Sequence, residues 1–492
     1  MTAELDAQAR QHLLRLDGQE DLCLATYSPS TGVLRTTAVL NEIIHPLAGE
    51  RTVHGNVSFS GAYVVRAASY AAARGCGIAI AHSHPDGYGW QHMSPLDRQA
   101  EQSYSLVAQT ITGHPLLGMT LAGDTTWSAR FWNREHDWTD AESVRALGTT
   151  LHVDWNDTLC PAPRVTAEQV RTVSAWGPTV QGGLARLNVL VVGAGTVGID
   201  LALRLVQAGV QSVSVMDFDT VEEVNLDRLL TATRLDATLA RSKIHIALRA
   251  MRSAATASDP RLSGYEYSVC EEVGLRSALD HDVIFSSVDR PWARAVLNQL
   301  PYSDFIPVID GGLAIDKFPD SGMRNATWRA HVITPQTACL QCNGQIDGAQ
   351  VARDRAGLLG DENYIKAAGL KAPSRENVSL LAPSVTASML GQFVSLIVAP
   401  GGRGISDPLR YSLSTHTLEH LQIQQLPGCP YEQAAGSADQ RPSLSGMHPA
   451  ADAARRSRAN RAAQPRIRLG RRVQDLHDKA TTAMNAVAAR IE

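Results

Sequence analysis

The sequence predicts two joined domains of different class: an α+β domain over residues 1–158, then an α/β domain over 159–430 built on a mostly parallel sheet. Three observations carry this. At 492 residues the chain exceeds what one hydrophobic core organises. Its first third mixes strand and helix patterns without regular alternation. The stretch LNVLVVGAGTVGIDLALRLVQAGVQSVSVMDFD, from Leu187, then reads as strand, glycine turn, amphipathic helix and strand, one βαβ unit of a doubly wound sheet.

Taken in order, AYVVRAASYAAARG from Ala62 has helical spacing of apolar residues, and GIAIA from Gly77 reads as a buried strand. HPLLGMTLAGDTTWSARFW and SVRALGTTLHVDW carry the β-branched and aromatic enrichment of strands. In the second domain DVIFSSVD and FIPVIDGGL are further strands. Residues 431–492 are rich in Ala, Arg, Ser and Pro and read as a solvated, flexible tail ending in a short helix from about Val473.

Composition narrows the function classes. The apolar runs are short and broken by glycine, and MTAELDAQARQ lacks a signal-peptide core, so no membrane partner and a cytoplasmic location are expected. Seven cysteines in so long a chain argue for metal or thiol chemistry over a disulfide framework. From Arg441 onward Lys and Arg outnumber Asp and Glu by eleven to four, giving a basic tail on an acidic body. The tail lacks the interleaved aromatics of single-strand readers, so docking on an acidic partner or on the chain's own acidic body is expected ahead of nucleic acid.

The strand GIAIA runs into HSHPDGYGWQHMSPLD. Side chains alternate along a strand, so His82 and His84 project to one face and Ser83 to the other. SPLDRQAEQ is a helix start with Ser94 as N-cap, Pro95 in first position and Asp97 in the first turn. Two imidazoles and an oriented carboxylate with one open position form a catalytic zinc set. HSHP followed by SPLD resembles the signature of the JAMM metalloproteases (the JAB or MPN fold), which cleave after ubiquitin-like modifiers. The resemblance implies zinc on His82, His84 and Asp97, Ser94 helping to hold the tetrahedral intermediate, and an upstream glutamate as base. Glu20, in LDGQEDLCLATY, best matches that glutamate; Glu42, in VLNEIIHP, is the alternative. The loop Pro85–Met93 is longer than usual in that family, and His92 within it reads as a surface residue.

VVGAGTVG places Gly193, Gly195 and Gly198 between a strand and a helix, a phosphate-binding arrangement. Asp217 follows Gly198 by 19 residues, where an acid meets a ribose hydroxyl, and to that point an NAD-dependent oxidoreductase fits equally. The continuation MDFDTVEEVNLDR resembles the D-x-D-x-V-x-x-x-N-L-x-R run of the ThiF, MoeB and ubiquitin-activating superfamily. Those enzymes use ATP and Mg2+ to adenylate the C-terminal glycine of a ubiquitin-like protein. The resemblance implies a Rossmann-like ThiF-type domain that binds nucleotide through Asp217, Asp219, Asn225, Arg228 and Lys243, with Asp289 helping to hold magnesium. It also implies an arginine, best matched by Arg171, that reaches the partner subunit's phosphates in a homodimer.

In the same superfamily a CxxC pair commonly supplies half of a structural zinc site. Cys339 and Cys342 match it, but the second half retains only Cys429, with Glu432 where a fourth cysteine would stand. His416, His420 or water can stand in for it, and without zinc Cys339 or Cys342 becomes a candidate thioester nucleophile. Prokaryotic fusions of the two domains imply either protein conjugation, antiviral systems included and with a conjugating enzyme as further partner, or sulfur-carrier activation.

Overall fold

The computed structural model describes residues 1–463 apart from 55, 136, 320–321 and 370–375, together with 472–473, 475–481 and 483. In the first half the strands are β1 (Leu22–Thr31), β2 (Thr36–Ile44), β3 (Arg51–His54), β4 (Asn56–Phe59), β5 (Gly77–His84), β6 (Leu116–Ala122), β7 (Trp127–Trp132), β8 (Trp138–Asp140), β9 (Ser143–Leu147) and β10 (Leu151–Trp155). Six of them form one sheet in the order β2-β1-β5-β6-β7-β8. Only the β5–β6 pair in it is parallel. Helix Ala3–Leu13 covers one face over Tyr27, Ala79, Ala81 and Trp127. Helices Gly61–Ala72 and Pro95–Thr112 cover the other, over Ile78, Ile80 and Trp132. The alternation of β5 therefore carries His82 and His84 onto the face shared with helix Pro95–Thr112.

That helix is held firmly. Pro95 and the Ser94–Asp97 capping box fix its start, and Gly113, at φ 77°, ends it in the left-handed conformation. Glu101 on its inner face is buried and accepts from Arg130 Nε at 2.9 Å and from Trp132 Nε1 at 2.6 Å. Gly118 lies opposite because a Cβ there would meet a Glu101 oxygen at 2.0 Å.

The second half contains β11 (Asn188–Val192), β12 (Ser212–Met216), β13 (Arg261–Tyr265), β14 (Val283–Ser286), β15 (Val308–Lys317), β16 (Met323–Ile333), β17 (Leu409–Ser412) and β18 (Thr417–His420). They make an eight-stranded sheet in the order β13-β12-β11-β14-β15-β16-β17-β18. The first five are parallel and the last three extend the sheet antiparallel. Helices Thr196–Gln207, Lys243–Ala254 and Ala382–Ile397 pack on one face, and Glu272–Ala278 and Pro291–Ser303 on the other. Strand order reverses between β11 and β14, which opens a crevice at their carboxyl ends.

Residues 430–463 depart from the flexible tail that composition predicts. Tyr431 is buried, and helix Pro449–Ala463 lies against the α/β half. The arginines that make this segment look solvated find partners there: Arg441 pairs with Asp304 at 3.0 Å and Arg455 with Glu271 at 2.6 Å. Residues 475–481 are helical, and the rest of the helix expected from about Val473 lies largely outside the described residues. Among the described residues no helix is long and apolar enough to cross a membrane.

Candidate functional site

At the end of β5, His82 Nε2 lies 3.2 Å from His84 Nε2, and Asp97 Oδ2 and Oδ1 lie 3.3 and 3.4 Å from His84 and His82 respectively. Donors around a tetrahedral zinc at about 2.0–2.1 Å stand about 3.3 Å apart, so the three residues fit that ion. The chain holds them there on both sides. Ser83 Oγ, pointing the other way, donates to Leu13 O at 2.8 Å and accepts from Asp21 N at 3.0 Å. Asp97 Oδ2 accepts from Ser94 N at 2.8 Å while Ser94 Oγ accepts from Asp97 N at 3.2 Å. Burial alone would raise the Asp97 carboxyl, but the bonds from His82 and His84 outweigh it and hold the group far below the usual range. Asp97 in turn raises His84, with Glu20 adding to the effect.

Glu20 immediately precedes Asp21, whose carbonyl accepts from Ser83 N at 3.0 Å, and its charge is felt at His84. Glu42 lies elsewhere. It pairs with Thr26, four positions along β1 from the residue opposite His82, and accepts from Tyr70 Oη at 2.8 Å. Gln91, which the sequence does not single out, sits 3.3 Å from His84 Nδ1 and orients the ring from the long loop.

The crevice between β11 and β14 holds a cavity of about 310 Å³. Gly193, at φ 97°, and Gly195 line it at the N-terminus of helix Thr196–Gln207. Gly198 lies behind the loop, where a Cβ would meet Gly193 O at 1.8 Å. Ser287, missed in the sequence, locks the turn by donating to Gly193 O at 2.8 Å. Asp217 accepts from Ala194 N and Asp219 N, both at 2.7 Å. Lys243 Nζ meets Asp219 Oδ2 at 2.8 Å. Burial disfavours the ammonium, but the Asp217 and Asp219 carboxylates outweigh it and raise the Lys243 pKa, so the cation is kept. Burial pushes the Asp217 carboxyl up, with Lys243 opposing. Asn225, Arg228 and Asp289 complete the wall, joined by Arg290, Asn377 and His448, which no motif marks. Arg171 does not line this cavity; it is exposed on helix Val170–Trp176.

Cys339, Cys342 and Cys429 form a third cluster, with Cys339 Sγ 3.6 Å from Cys342 Sγ and 3.5 Å from Cys429 Sγ. Glu432 Oε1 stands 3.8 Å from Cys342 Sγ. His416 and His420 are instead exposed around the β17–β18 turn. Three thiols at this spacing fit zinc, whose thiolate ligands at about 2.3 Å stand under 4 Å apart. Burial pushes the Cys339 thiol up to about 12, so without a cation it stays protonated.

Residues 166–429, more than half of the chain, match the model of the ThiF family. The sulfur carrier protein ThiS adenylyltransferase of Bacillus subtilis is 30% identical over 166 residues, which cover 34% of this chain and 46% of that protein. The molybdopterin-synthase adenylyltransferase of Escherichia coli is 29% identical over 133 residues, covering 27% and 51%. The NEDD8-activating enzyme E1 catalytic subunit of Caenorhabditis elegans is 26% identical over 182 residues, covering 36% and 40%. The chain thus spans about half the length of these relatives or less. A solved structure of E. coli MccB with ATP aligns at a TM-score of 0.40 and 16% identity, covering 54% of this chain and 74% of that one.

Proposed function

The chain belongs to the ThiF family, and we propose that it adenylates the C-terminal carboxylate of a small ubiquitin-like or sulfur-carrier protein. The observation that carries this is the convergence of the glycine turn, Asp217, the Lys243–Asp219 pair and Asp289 on one cavity. A carboxylate oxygen of the carrier attacks the α-phosphorus of ATP, the bond from that phosphorus to the bridging oxygen breaks, and pyrophosphate leaves. The backbone N–H groups at the start of helix Thr196–Gln207 bind phosphate oxygens. Asp217 accepts from the ribose hydroxyls, while Lys243, Arg228 and Asn225 offset the charge growing on the phosphates. Asp289 helps to hold magnesium, which supplies further positive charge there. A homodimer in which Arg171 serves the partner's site is part of the same reading.

We infer further that residues 1–158 form a JAMM-type peptidase acting on the same carrier terminus. The donor spacing of His82, His84 and Asp97 supports it. Zinc held there supplies Lewis acidity toward a carbonyl and acidifies water. Glu20 accepts the proton from the attacking water, and Ser94 Oγ donates to the oxygen anion that develops. One terminus would then be both trimmed and activated by one chain.

Two uses of the adenylate are open to such a chain: thioester transfer for conjugation, in antiviral systems among others, or sulfur delivery. None of the seven cysteines is exposed, and this favours sulfur-carrier activation, in which no thiol of this chain needs to attack.

The test is ligand binding by the full chain. ATP with magnesium should bind, and Asp217→Ala and Lys243→Ala should each weaken it about tenfold or more. Binding of NADH with exclusion of ATP would overturn the reading in favour of an oxidoreductase.

A further inference from the structure

The segment after Cys429 folds back over the mouth of the nucleotide crevice. Trp292 Nε1 donates to Leu444 O at 2.7 Å, and Gly446 N to Cys270 O at 2.8 Å. The His448 ring stacks on Trp292 at 5.2 Å and 9°, and reaches Phe218 in the D-x-D loop at 5.1 Å. Helix Pro449–Ala463 begins there and is tied twice more to the site's own loops. Arg455 pairs with Glu271, and Arg458, only 8% exposed, donates to Phe218 O at 2.6 Å and meets Glu266 at 3.2 Å.

Between this helix and the loop after β12 lies a second cavity, of about 400 Å³. It shares Asp219, Asn225 and Lys243 with the nucleotide cavity, so the two spaces meet at the phosphate end. The helix turns small side chains toward it, Ala453, Ala454 and Ser457, and two long cations, Arg458 and Arg461. Ser457 and Arg461 are four residues apart and so share a face.

Most cations around the two cavities already have a carboxylate: Lys243 has Asp219, Arg228 has Asp227 at 2.7 Å, Arg290 has Asp354 at 3.3 Å and Arg458 has Glu266. Arg461 pairs with none among the described residues. A triphosphate brings several negative charges, and binding them in a space that also holds Asp219 and Glu222 requires a cation whose charge is not already spent.

We propose that helix Pro449–Ala463 is a wall of the adenylation site and that Arg461 binds the β- and γ-phosphates of ATP, the pyrophosphate that leaves. This rests on the adenylation reading above. It assigns a phosphate-binding role in cis to a segment outside the matched residues 166–429. Arg458 is the positioning residue that seats the helix, and Arg461 is the one that touches the ligand.

Calorimetric titration of the full chain with ATP and magnesium, inorganic pyrophosphate and AMP tests this. Arg461→Ala should weaken ATP and pyrophosphate roughly tenfold to a hundredfold, the loss of a charge-assisted bond, while AMP binding and the melting temperature stay at wild-type values. Arg461→Lys should recover most of the loss. If Arg461→Ala binds all three ligands as the wild type does, the assignment of Arg461 falls and adenylation stands. A wild-type chain that binds neither ATP nor AMP removes both.

Discussion

Arg35 in the β1–β2 turn region and Asp282 just before β14 face each other at 2.8 Å and join the two halves of the chain. Arg145 reaches the same carboxylate at 2.5 Å, and Asn188 N donates to its other oxygen at 2.9 Å. Two residues away, Asp280 accepts from the N–H groups of Val33, Leu34 and Arg35. Removing Asp282 leaves two guanidiniums facing each other in a buried place. Asp282→Ala should therefore cost about 3–5 kcal/mol, read in thermal or denaturant unfolding.

The same carboxylate predicts an acid limit to stability. Burial acts to raise Asp282, but Arg35 and Arg145 outweigh it and hold the carboxyl below its ordinary value. A carboxyl lowered in the folded state contributes stability fully above its unfolded pKa of about 3.9 and loses it as pH falls through the lower folded value. The melting temperature of the wild type should fall below about pH 4, and Asp282→Asn, already weakened at neutral pH, should show a shallower fall.

Metal content checks the two donor clusters separately. The full chain should carry two zinc equivalents by elemental analysis, with one left in His82→Ala and one left in Cys429→Ser. Chelation should lower the melting temperature, through the Cys339, Cys342 and Cys429 cluster at the foot of the returning segment. Glu20→Ala should keep both ions and abolish cleavage of a carrier fusion, while Glu42→Ala leaves cleavage intact because Glu42 is bonded to Tyr70 away from the histidines.

Backbone packing behind the glycine turn gives a sharper contrast. A Cβ on Gly198 would lie 1.8 Å from Gly193 O, so Gly198→Ala must displace the phosphate loop and should sharply weaken ATP binding. Gly183, inside helix Pro178–Arg186, has nothing within 4 Å of its virtual Cβ. Gly183→Ala should leave nucleotide binding unchanged and stabilise the chain by up to about 1 kcal/mol.

What the sequence made legible was local. The β11–turn–helix unit and the capped helix at Ser94 follow from periodicity and caps within a dozen residues, and the structure places His82, His84 and Asp97 together as alternation and capping require. What it hid depends on distant partners. Gln91 beside His84 and Ser287 against Gly193 O carry no motif, and only the folded loops bring them there. The docking of residues 430–463 was masked by its Arg-rich composition, because Arg458 is satisfied by Phe218 O and Glu266, far upstream. Arg171 lies outside the cavity of its own chain, and only the family pattern before the glycine loop marks it, for the site of a partner subunit.

The central claim is adenylation of a carrier's C-terminal carboxylate. Its most direct test is intact-mass spectrometry of the small proteins in an extract from the native source, after incubation with ATP, magnesium and either the wild-type chain or Asp289→Ala. The account predicts one small protein ending in glycine whose mass rises by one AMP with the wild type and not with the variant. The same AMP adduct formed with Asp289→Ala, or ATP turnover with no adduct on any protein, would contradict it.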